Sequence, residues 1–299
     1  MTKEIKGMMA SVVGNAIFGF SFLFSKMALN ISEPLVLLCS RFTLGWIVMS
    51  LLVVFRVMKL DLKGKPVWIP VVIGLLEPVL YFALENYGVQ YTSASLAGML
   101  SSIGPVIATL LGAIFLREKP TWKQWVFMFI SIAGVLLVST GGGNTGSTLL
   151  GIICLLAAYL LGGVYALLIR SCSDRFTAFE QTYIMTTVAF VSFNIWSAVM
   201  YRGELPGMLR EAFSHIEFSS AVVYLGIVAN IIGYMLINYS LGSLPMARAT
   251  VFTSFSTLMS VVAGVVFLRE PFPITSVVAF VLIMLGVWGT NRFHRPEES

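Results

Sequence analysis

Two carboxylic acids stand out in one long apolar stretch of the chain, "VWIPVVIGLLEPVLYFALENYG". Glu77 lies about 11 residues into this stretch, and Pro78 follows directly. Tyr81 and Glu85 come at successive intervals of four residues, so a helix would place them on one face with Glu77. Proline removes a backbone N–H and disturbs the preceding turn, which could bring free carbonyl groups near the Glu77 carboxylate. The spacing predicts a buried acidic site in a disturbed helix.

Three interpretations of Glu77 remain open. It could be the counter-charge for a cationic substrate, or a proton site, because a desolvated carboxyl group holds its proton more tightly. It could also be a protonated, hydrogen-bonded structural group. The first two interpretations are compatible, since a substrate cation and a proton that compete for one carboxylate would be exchanged across a membrane.

Aromatic rings and buried amides at similar depth are further candidates for substrate contact. Aromatic faces beside a carboxylate suit an ammonium group, and the same rings could stack on a nucleobase or an aromatic amino acid. Helix packing and interhelical hydrogen bonds are the competing structural interpretations. Tyr234 and Asn194 belong to this wider group. The predicted substrate-binding set is Glu77, Tyr81, Trp46, Tyr159, Asn230 and Asn15.

Arg41 and Glu85 are predicted to act as a gate. They lie at similar depth in neighbouring apolar stretches and carry opposite charges. An ion pair between them could close the outer end of a pathway, whereas a static pair or two separate side chains reaching for the interface would have no such role. Lys26 and Glu180 lie close enough to the ends of their stretches for their side chains to reach the interface, and they receive no role.

The composition places these residues inside a membrane. The chain has 299 residues, of which 58% are hydrophobic and 11% charged, with a mean hydropathy of +0.90. Soluble domains carry about 25% charged residues. A helix needs about 20 apolar residues to cross a bilayer, and the alternation typical of a transmembrane barrel is absent. We predict an all-α membrane protein with spans at about 7–29, 34–55, 66–89, 93–116, 122–140, 147–171, 177–201, 217–240, 246–268 and 272–292.

The distribution of basic residues predicts the orientation of the spans. Lysine and arginine concentrate in alternate connections, as in the run that contains Arg56, Lys59, Lys63 and Lys65. The richer side is cytoplasmic by the positive-inside rule, so both termini should be cytoplasmic. The net charge of +5 reflects this topology and gives no sign of nucleic-acid binding. The cysteines and histidines are scattered, so neither a metal site nor a cofactor is predicted.

An internal repeat divides the chain. "FLRE" begins at Phe115 and again at Phe267, 152 residues later, and the same shift relates residues 74–134 to residues 226–286, for example at Gly74, Asn86 and Tyr87. The early part of the repeat needs a shift nearer 144, which pairs Gly19 with Gly163. Five spans per copy is an odd number, so the second copy should enter the membrane from the opposite side, as in many secondary transporters. Arg117 should then be cytoplasmic and Arg269 extracytoplasmic. The predicted units are 1–140, an outer linker 141–147, an inverted second repeat 148–292 and a cytoplasmic tail 293–299.

Several motifs resemble those of the drug/metabolite transporter superfamily, in particular its EamA-type members with ten helices. They are Phe18-Gly19 with Lys26, Arg41, "TSASLAGMLSSIGP", "FLREKPTWKQW" and "FLREPFP". The resemblance implies a central cavity between spans 1–4 and 6–9, with spans 5 and 10 at the periphery, and export or exchange of small metabolites. Thr257 stands where family members often have a proline in span 9, so a kink there would need Ser/Thr bonding to the backbone or be missing.

We therefore expect a secondary transporter of the plasma membrane that works by alternating access. Glu77 favours a cationic or amine substrate, with protons as the coupling ion. The shift of 152 pairs Glu77 with Ala229, and this asymmetry fits a substrate ligand better than a shared structural feature. The alternatives are an exporter of amino acids, with Arg41 holding the carboxylate, or of a neutral aromatic such as a nucleobase. An enzyme is disfavoured because the chain lacks a catalytic cluster at one depth, and a homodimer stays open.

Overall fold

The computed structural model describes residues 3–115, 120–140, 148–172, 174–244 and 253–293. This part of the chain contains helices and no strands. The helices of the first half are α1 Lys3–Leu29, α2 Pro34–Val54, α3 Trp68–Gly74, α4 Tyr81–Gln90, α5 Ala94–Ser101, α6 Gly104–Phe115 and α7 Trp122–Thr140. Those of the second half are α8 Leu149–Cys172, α9 Ala178–Tyr201, α10 Leu205–Ser214, α11 Ile216–Val223, α12 Tyr234–Ser243, α13 Thr253–Phe267 and α14 Ile274–Arg292.

Six helical stretches in the described residues are long and apolar enough to cross a membrane: Glu4–Leu29, Pro34–Val54, Trp68–Gln90, Leu149–Ile169, Ala178–Ser214 and Ile216–Ser243. Three shorter apolar helices are Trp122–Leu137, Phe255–Phe267 and Ile274–Thr290. These stretches coincide with nine of the predicted spans, and α5 with α6 occupies the remaining one. The predicted linker 141–147, Arg117 and most of the tail lie outside the described residues.

Two π-helical segments interrupt the helices at related positions. Leu75–Leu80 joins α3 to α4, and Tyr224–Gly233 joins α11 to α12. The shift of 152 that relates the two halves superimposes the first segment on the second. Within the first segment Glu77 has an extended backbone (φ −140°, ψ 117°), and the Glu77–Pro78 peptide bond is cis. The disturbance predicted from Pro78 is thus present at Glu77 itself.

The two copies of the fourth span differ. In the first half the helix breaks at residues 102–103, between α5 and α6, just before the glycine and proline of "SSIGP". In the second half α13 continues without interruption from Thr253 through Thr257 to Phe267. The kink for which Thr257 was considered is therefore missing from the described part of this span.

Helix α1 lies at the centre of the bundle and packs against α12, α13 and the segment Tyr224–Gly233. At one side of the bundle α7 and α14 pack mainly against each other. Trp122 and Trp288 on these two helices are 78% and 58% exposed. Apolar side chains that are this exposed face lipid when a helix spans a membrane, so α7 and α14 form the edge of the bundle, away from its centre.

The connection between α2 and α3 is tied to the start of α9. Glu180 is buried, and its carboxylate accepts hydrogen bonds from Lys65 Nζ (2.6 Å) and Asp61 N (3.2 Å). It also forms a capping box with Thr177, which satisfies the first amides of α9. The expectation that Glu180 merely reaches for the interface is wrong, because the loop folds back over it.

Candidate functional site

A cavity of about 200 Å³ lies at the centre of the bundle. Its wall combines two carboxylic acids, Glu77 and Glu85, with an aromatic surface. It extends from the middle of the bundle toward the end where α1 begins and α12 finishes, since Ser11 and Ser240 are among its lining residues. The aromatic lining residues are Phe18, Phe22, Tyr81, Phe82, Tyr159, Tyr165 and Tyr234.

Glu77 presents one occupied and one free carboxylate oxygen. The side chain is 8% exposed. Its Oε1 accepts a hydrogen bond from the Tyr234 hydroxyl at 2.9 Å. Its Oε2 is buried and has no hydrogen-bond partner among the described residues. A buried polar atom without a partner is costly, so Oε2 is the atom of this wall with the strongest demand for a donor.

Tyr81 and Glu85 form a second pair one helical turn along α4. The Tyr81 hydroxyl donates to Glu85 Oε1 at 2.8 Å, and both side chains line the cavity. The four-residue spacing from Glu77 thus brings the three residues to one wall, as the sequence predicted. The extended backbone at Glu77 does not prevent this, because the helix resumes before Tyr81.

The hydroxyl groups of the four described tyrosines in the wall all donate to protein acceptors. Besides the two bonds to glutamates, Tyr159 donates to the Ala97 carbonyl (2.7 Å) and Tyr165 donates to Asn238 Oδ1. No lysine or arginine is among the described lining residues. Apart from serine hydroxyls such as Ser240 Oγ, which has no partner among the described residues, the wall offers acceptors and ring faces. It therefore suits a ligand that brings its own donors and positive charge.

Asn15 also lines the cavity, but its amide is partly engaged within α1. Its Nδ2 donates to the Ser11 carbonyl (2.8 Å) and to Ser11 Oγ (3.3 Å). The rest of the predicted substrate-binding set divides in two. Tyr159 faces the cavity, while Trp46 and Asn230 do not.

Trp46 and Asn230 lie on helix faces that are turned away from the cavity. The Trp46 ring stacks on Phe190 with centroids 4.5 Å apart, so it packs α2 against α9. Asn230 is 1% exposed, and its Nδ2 donates to Thr186 Oγ1 at 3.3 Å. The rotation of each helix about its axis decides which way these side chains point, and the sequence did not indicate that rotation.

Arg41 is fully buried beside the cavity, and none of its three side-chain nitrogens has a hydrogen-bond partner in the described residues. Its guanidinium carbon lies 4.3 Å from the centroid of Phe82 and 5.0 Å from that of Phe42. Phe82 in turn lines the cavity. The predicted Arg41–Glu85 ion pair is not formed, since the one ion pair within 4.0 Å among the described residues joins Lys65 to Glu180.

A pair of charged residues instead holds the connection between α4 and α5, at the end of the bundle opposite the one toward which the cavity extends. Lys26 Nζ donates to the carbonyls of Val89 (2.9 Å), Gln90 (3.1 Å) and Thr92. Glu270 accepts from the amide N–H groups of Ala94 (2.7 Å) and Ser95 (2.8 Å), and from the Ser95 hydroxyl. We call these two residues and their partners the Lys26–Glu270 clamp.

The Lys26–Glu270 clamp follows helix electrostatics. A cation caps the carbonyls at the end of α4, and an anion caps the amides at the start of α5. Glu270 is the last residue of the second "FLRE", a repeated motif whose pattern alone indicated no role for it. Lys26 was expected only to reach for the interface. The repeat of the motif was the one available signal, and it did not reveal the distant partner.

The described residues hold no group of three or more histidines, cysteines, aspartates or glutamates that could bind a metal ion. In the cavity, the hydroxyl groups that donate to Glu77 and Glu85 are those of Tyr234 and Tyr81. The two carboxyl groups, ring faces and free oxygen of this cavity can bind a cation and exchange a proton, which are the properties of a binding site.

The model of the EamA-like transporter family matches residues 5–140 and, separately, residues 149–292. Together the two matches cover nearly the whole chain, and the gap between them falls at the predicted linker.

Individual relatives give the same result. The chain is 32% identical over 285 residues to the uncharacterized transporter YcxC of Bacillus subtilis (strain 168), covering 94% of this chain and 91% of the relative. It is 28% identical over 214 residues to a probable terminal-alkyne amino-acid exporter of Streptantibioticus cattleyicolor, covering 71% and 69%. A solved crystal structure with 18% identity shares the fold, with a TM-score of 0.64 over 97% of this chain and 99% of that one.

Proposed function

The chain belongs to the EamA-like transporter family, and on that premise we propose that it carries a small amine-bearing metabolite whose ammonium group binds at Glu77. It is a multi-pass protein of the plasma membrane. It is a transporter and not an enzyme, because the matched family and the named relatives are transporters. The observation that supports the amine is the unpartnered Oε2 of Glu77 in an aromatic cavity.

The chemistry of the wall favours a donor-rich cation. An ammonium group supplies N–H donors and positive charge, and ring faces within reach add cation–π attraction. A carboxylate ligand would find no cation among the described lining residues. A neutral apolar ligand would leave Oε2 without a hydrogen bond. Burying such an atom without a partner costs about 1–3 kcal/mol.

The proposed coupling to protons depends on the same oxygen atom, Glu77 Oε2. Glu77 can hold either a substrate cation or a proton at Oε2, and the low dielectric of the cavity makes double occupancy unfavourable. Binding on one side would displace the proton, and release on the other side would let it return. Glu85, about two turns away and bonded to Tyr81, could accept the proton in transit.

Alternating access by two inverted five-helix repeats is the mechanism that we propose. The two separate family matches and the two π-helical segments at positions related by 152 residues support the repeat. In the described conformation the Lys26–Glu270 clamp holds one end together while the cavity extends toward the other. With both termini cytoplasmic, the clamped end is the outer one.

Arg41 and Glu85 retain a proposed gating role in a conformation other than this one. A buried guanidinium without hydrogen bonds is unfavourable by several kcal/mol, and ring contacts offset about 2 kcal/mol of that. Movement of Phe82 would let Arg41 meet Glu85 or a ligand anion.

The second candidate is an amino-acid substrate. One relative is named as an amino-acid exporter, and Arg41 lies behind Phe82 at the cavity wall. An amino acid would place its ammonium group at Glu77 and would draw its carboxylate toward Arg41. A nucleobase remains the third candidate, supported by the aromatic wall alone.

A thermal-shift panel on purified protein tests these candidates. It compares wild type, Glu77→Gln and Arg41→Met with primary and quaternary amines, amino acids and nucleobases at two pH values. A ligand at about 100 times its Kd should add about 2.7 kcal/mol of stability. We expect amines to stabilise wild type and Arg41→Met but not Glu77→Gln, and less so at the lower pH. The exposed Glu211→Gln is the matched control.

Two other outcomes would change the conclusion. Stabilisation by amino acids that is lost in both Glu77→Gln and Arg41→Met would establish the second candidate. Stabilisation by any ligand that survives Glu77→Gln would remove Glu77 from the site and leave it a structural or proton-only role.

A further inference from the structure

Gly162 of α8 lies beside the free oxygen of Glu77. A Cβ atom at Gly162 would come within 3.6 Å of Glu77 Oε2 and within 3.2 Å of the Tyr81 ring. Both residues line the cavity, as does Gly162 itself. The missing side chain therefore leaves a space about the size of one methyl group, bounded by a carboxylate oxygen and the Tyr81 ring.

The repeat shows that this space is particular to one half. The sequence shift that pairs Gly19 with Gly163 pairs Phe18 with Gly162. Phe18 projects a ring into the cavity wall, where it meets Tyr234 edge-on at 5.4 Å. The second half thus has no side chain where the first has a phenyl ring. The pair of Glu77 and Ala229 differs between the halves in the same way. Both differences meet at Glu77 Oε2, which lies beside Gly162.

We propose that Gly162 is a specificity-determining residue, which lets the site accept an ammonium nitrogen carrying alkyl substituents. This inference rests on the proposed binding of an amine at Glu77. A methyl group on a cationic nitrogen carries part of the positive charge, so at this position it contacts both Oε2 and the Tyr81 ring favourably. A side chain at residue 162 would occupy the space that the methyl group needs and would leave room for a primary ammonium alone.

The neighbouring Gly163 also borders the cavity, but its Cβ position points toward α6, so it provides a matched control. A Cβ atom there would meet Ile107 Cγ2 at 2.8 Å and Leu111 Cδ1 at 3.3 Å, so this glycine serves the packing of α8 against α6. Gly163→Ala adds the same methyl group to the same helix one residue later. It should lower the thermal midpoint and change the affinities of all amines by a similar factor.

The test uses ethanolamine, N-methylethanolamine, N,N-dimethylethanolamine and choline, which differ only in N-methylation. Their affinities for wild type, Gly162→Ala, Gly163→Ala and Glu77→Gln are measured by titration calorimetry on the purified full chain. Gly162→Ala should weaken N,N-dimethylethanolamine, whose ammonium keeps one N–H donor for Oε2, on the order of 10-fold or more, the usual effect of a misfit of one methylene, and should leave ethanolamine nearly unchanged.

The outcomes separate the two proposals. In one outcome Glu77→Gln loses binding, while Gly162→Ala changes all four affinities by the same factor or changes none of them. Gly162 then does not set specificity, and the amine site at Glu77 is supported. If wild type binds none of the four, or if Glu77→Gln binds them as wild type does, the amine site at Glu77 fails and the inference about Gly162 fails with it.

Discussion

At the scale of single residues, the two oxygens of Glu77 have different surroundings because Tyr234 occupies one of them. Its hydroxyl donates to Oε1 at 2.9 Å and sets the orientation of the carboxylate. The ring of Tyr234 is held in turn by edge-on contacts with Phe18, Phe82 and Tyr165. The free Oε2 is therefore positioned by a residue that does not itself need to touch the ligand.

Tyr234→Phe should weaken amine binding about tenfold. Hydrogen bonds to charged groups contribute about 1.5–3 kcal/mol, and the carboxylate would lose its fixed orientation while the ring packing stays. Titration calorimetry with the best amine of the panel measures the change. Tyr224→Phe is the control, because that hydroxyl donates to the Ile17 carbonyl outside the cavity. Equal affinities in Tyr234→Phe and wild type would contradict the positioning role.

At the scale of helices, the Lys26–Glu270 clamp joins elements that are distant in sequence. Glu270 follows α13 and caps α5, 175 and 176 residues earlier in the chain. The Ser260 hydroxyl on α13 also donates to the Ala94 carbonyl at 2.8 Å. These contacts hold α5 against α13 at the end of the bundle that the cavity does not reach.

Glu270→Ala should destabilise the described conformation. Losing a helix cap costs about 0.5–2 kcal/mol, so the thermal midpoint in detergent should fall. The variant should also let an impermeant thiol reagent reach a cysteine placed at Ser101, a cavity residue, from the outer side of the membrane. Glu211→Ala, at an exposed position of α10, should do neither. Unchanged stability together with unchanged labelling would show that Glu270 does not close this end.

At the scale of the whole molecule, each copy of the proposed inverted repeat has an odd number of spans, and this sets the side of the membrane on which each residue lies. Residues related by 152 in sequence should lie on opposite sides of the membrane. Lys123, at the start of α7, and Pro271, just before α14, are exposed and lie close to such related positions. They can report on topology without disturbing the cavity.

Single cysteines at Lys123 and Pro271 should react with an impermeant maleimide from opposite sides in a background without Cys39, Cys154 and Cys172. The cysteine at 123 should be cytoplasmic and the one at 271 extracytoplasmic, because five spans separate the two related positions. A permeant maleimide, which should label both, is the control for reactivity. Labelling of both by the impermeant reagent from one side would contradict the inverted repeat.

The amino-acid sequence by itself determined the class of the protein and the position of its central carboxylate. Hydrophobic length and the cost of a buried charge are properties of a local stretch, so the spans, the depth of Glu77 and the one-face spacing of Tyr81 and Glu85 could be read directly. The repeat and the motif resemblance led to the family that the comparison then established.

Only the tertiary structure decided which side chains share the cavity. Spans that are apolar on every side carry no periodic signal for their rotation, so Trp46 and Asn230 could not be told from Tyr159 and Tyr165. Arg41 packs against the ring of Phe82 and forms no ion pair with Glu85. The Lys26–Glu270 clamp and the space at Gly162 depend on contacts between elements far apart in the chain, which local patterns do not encode.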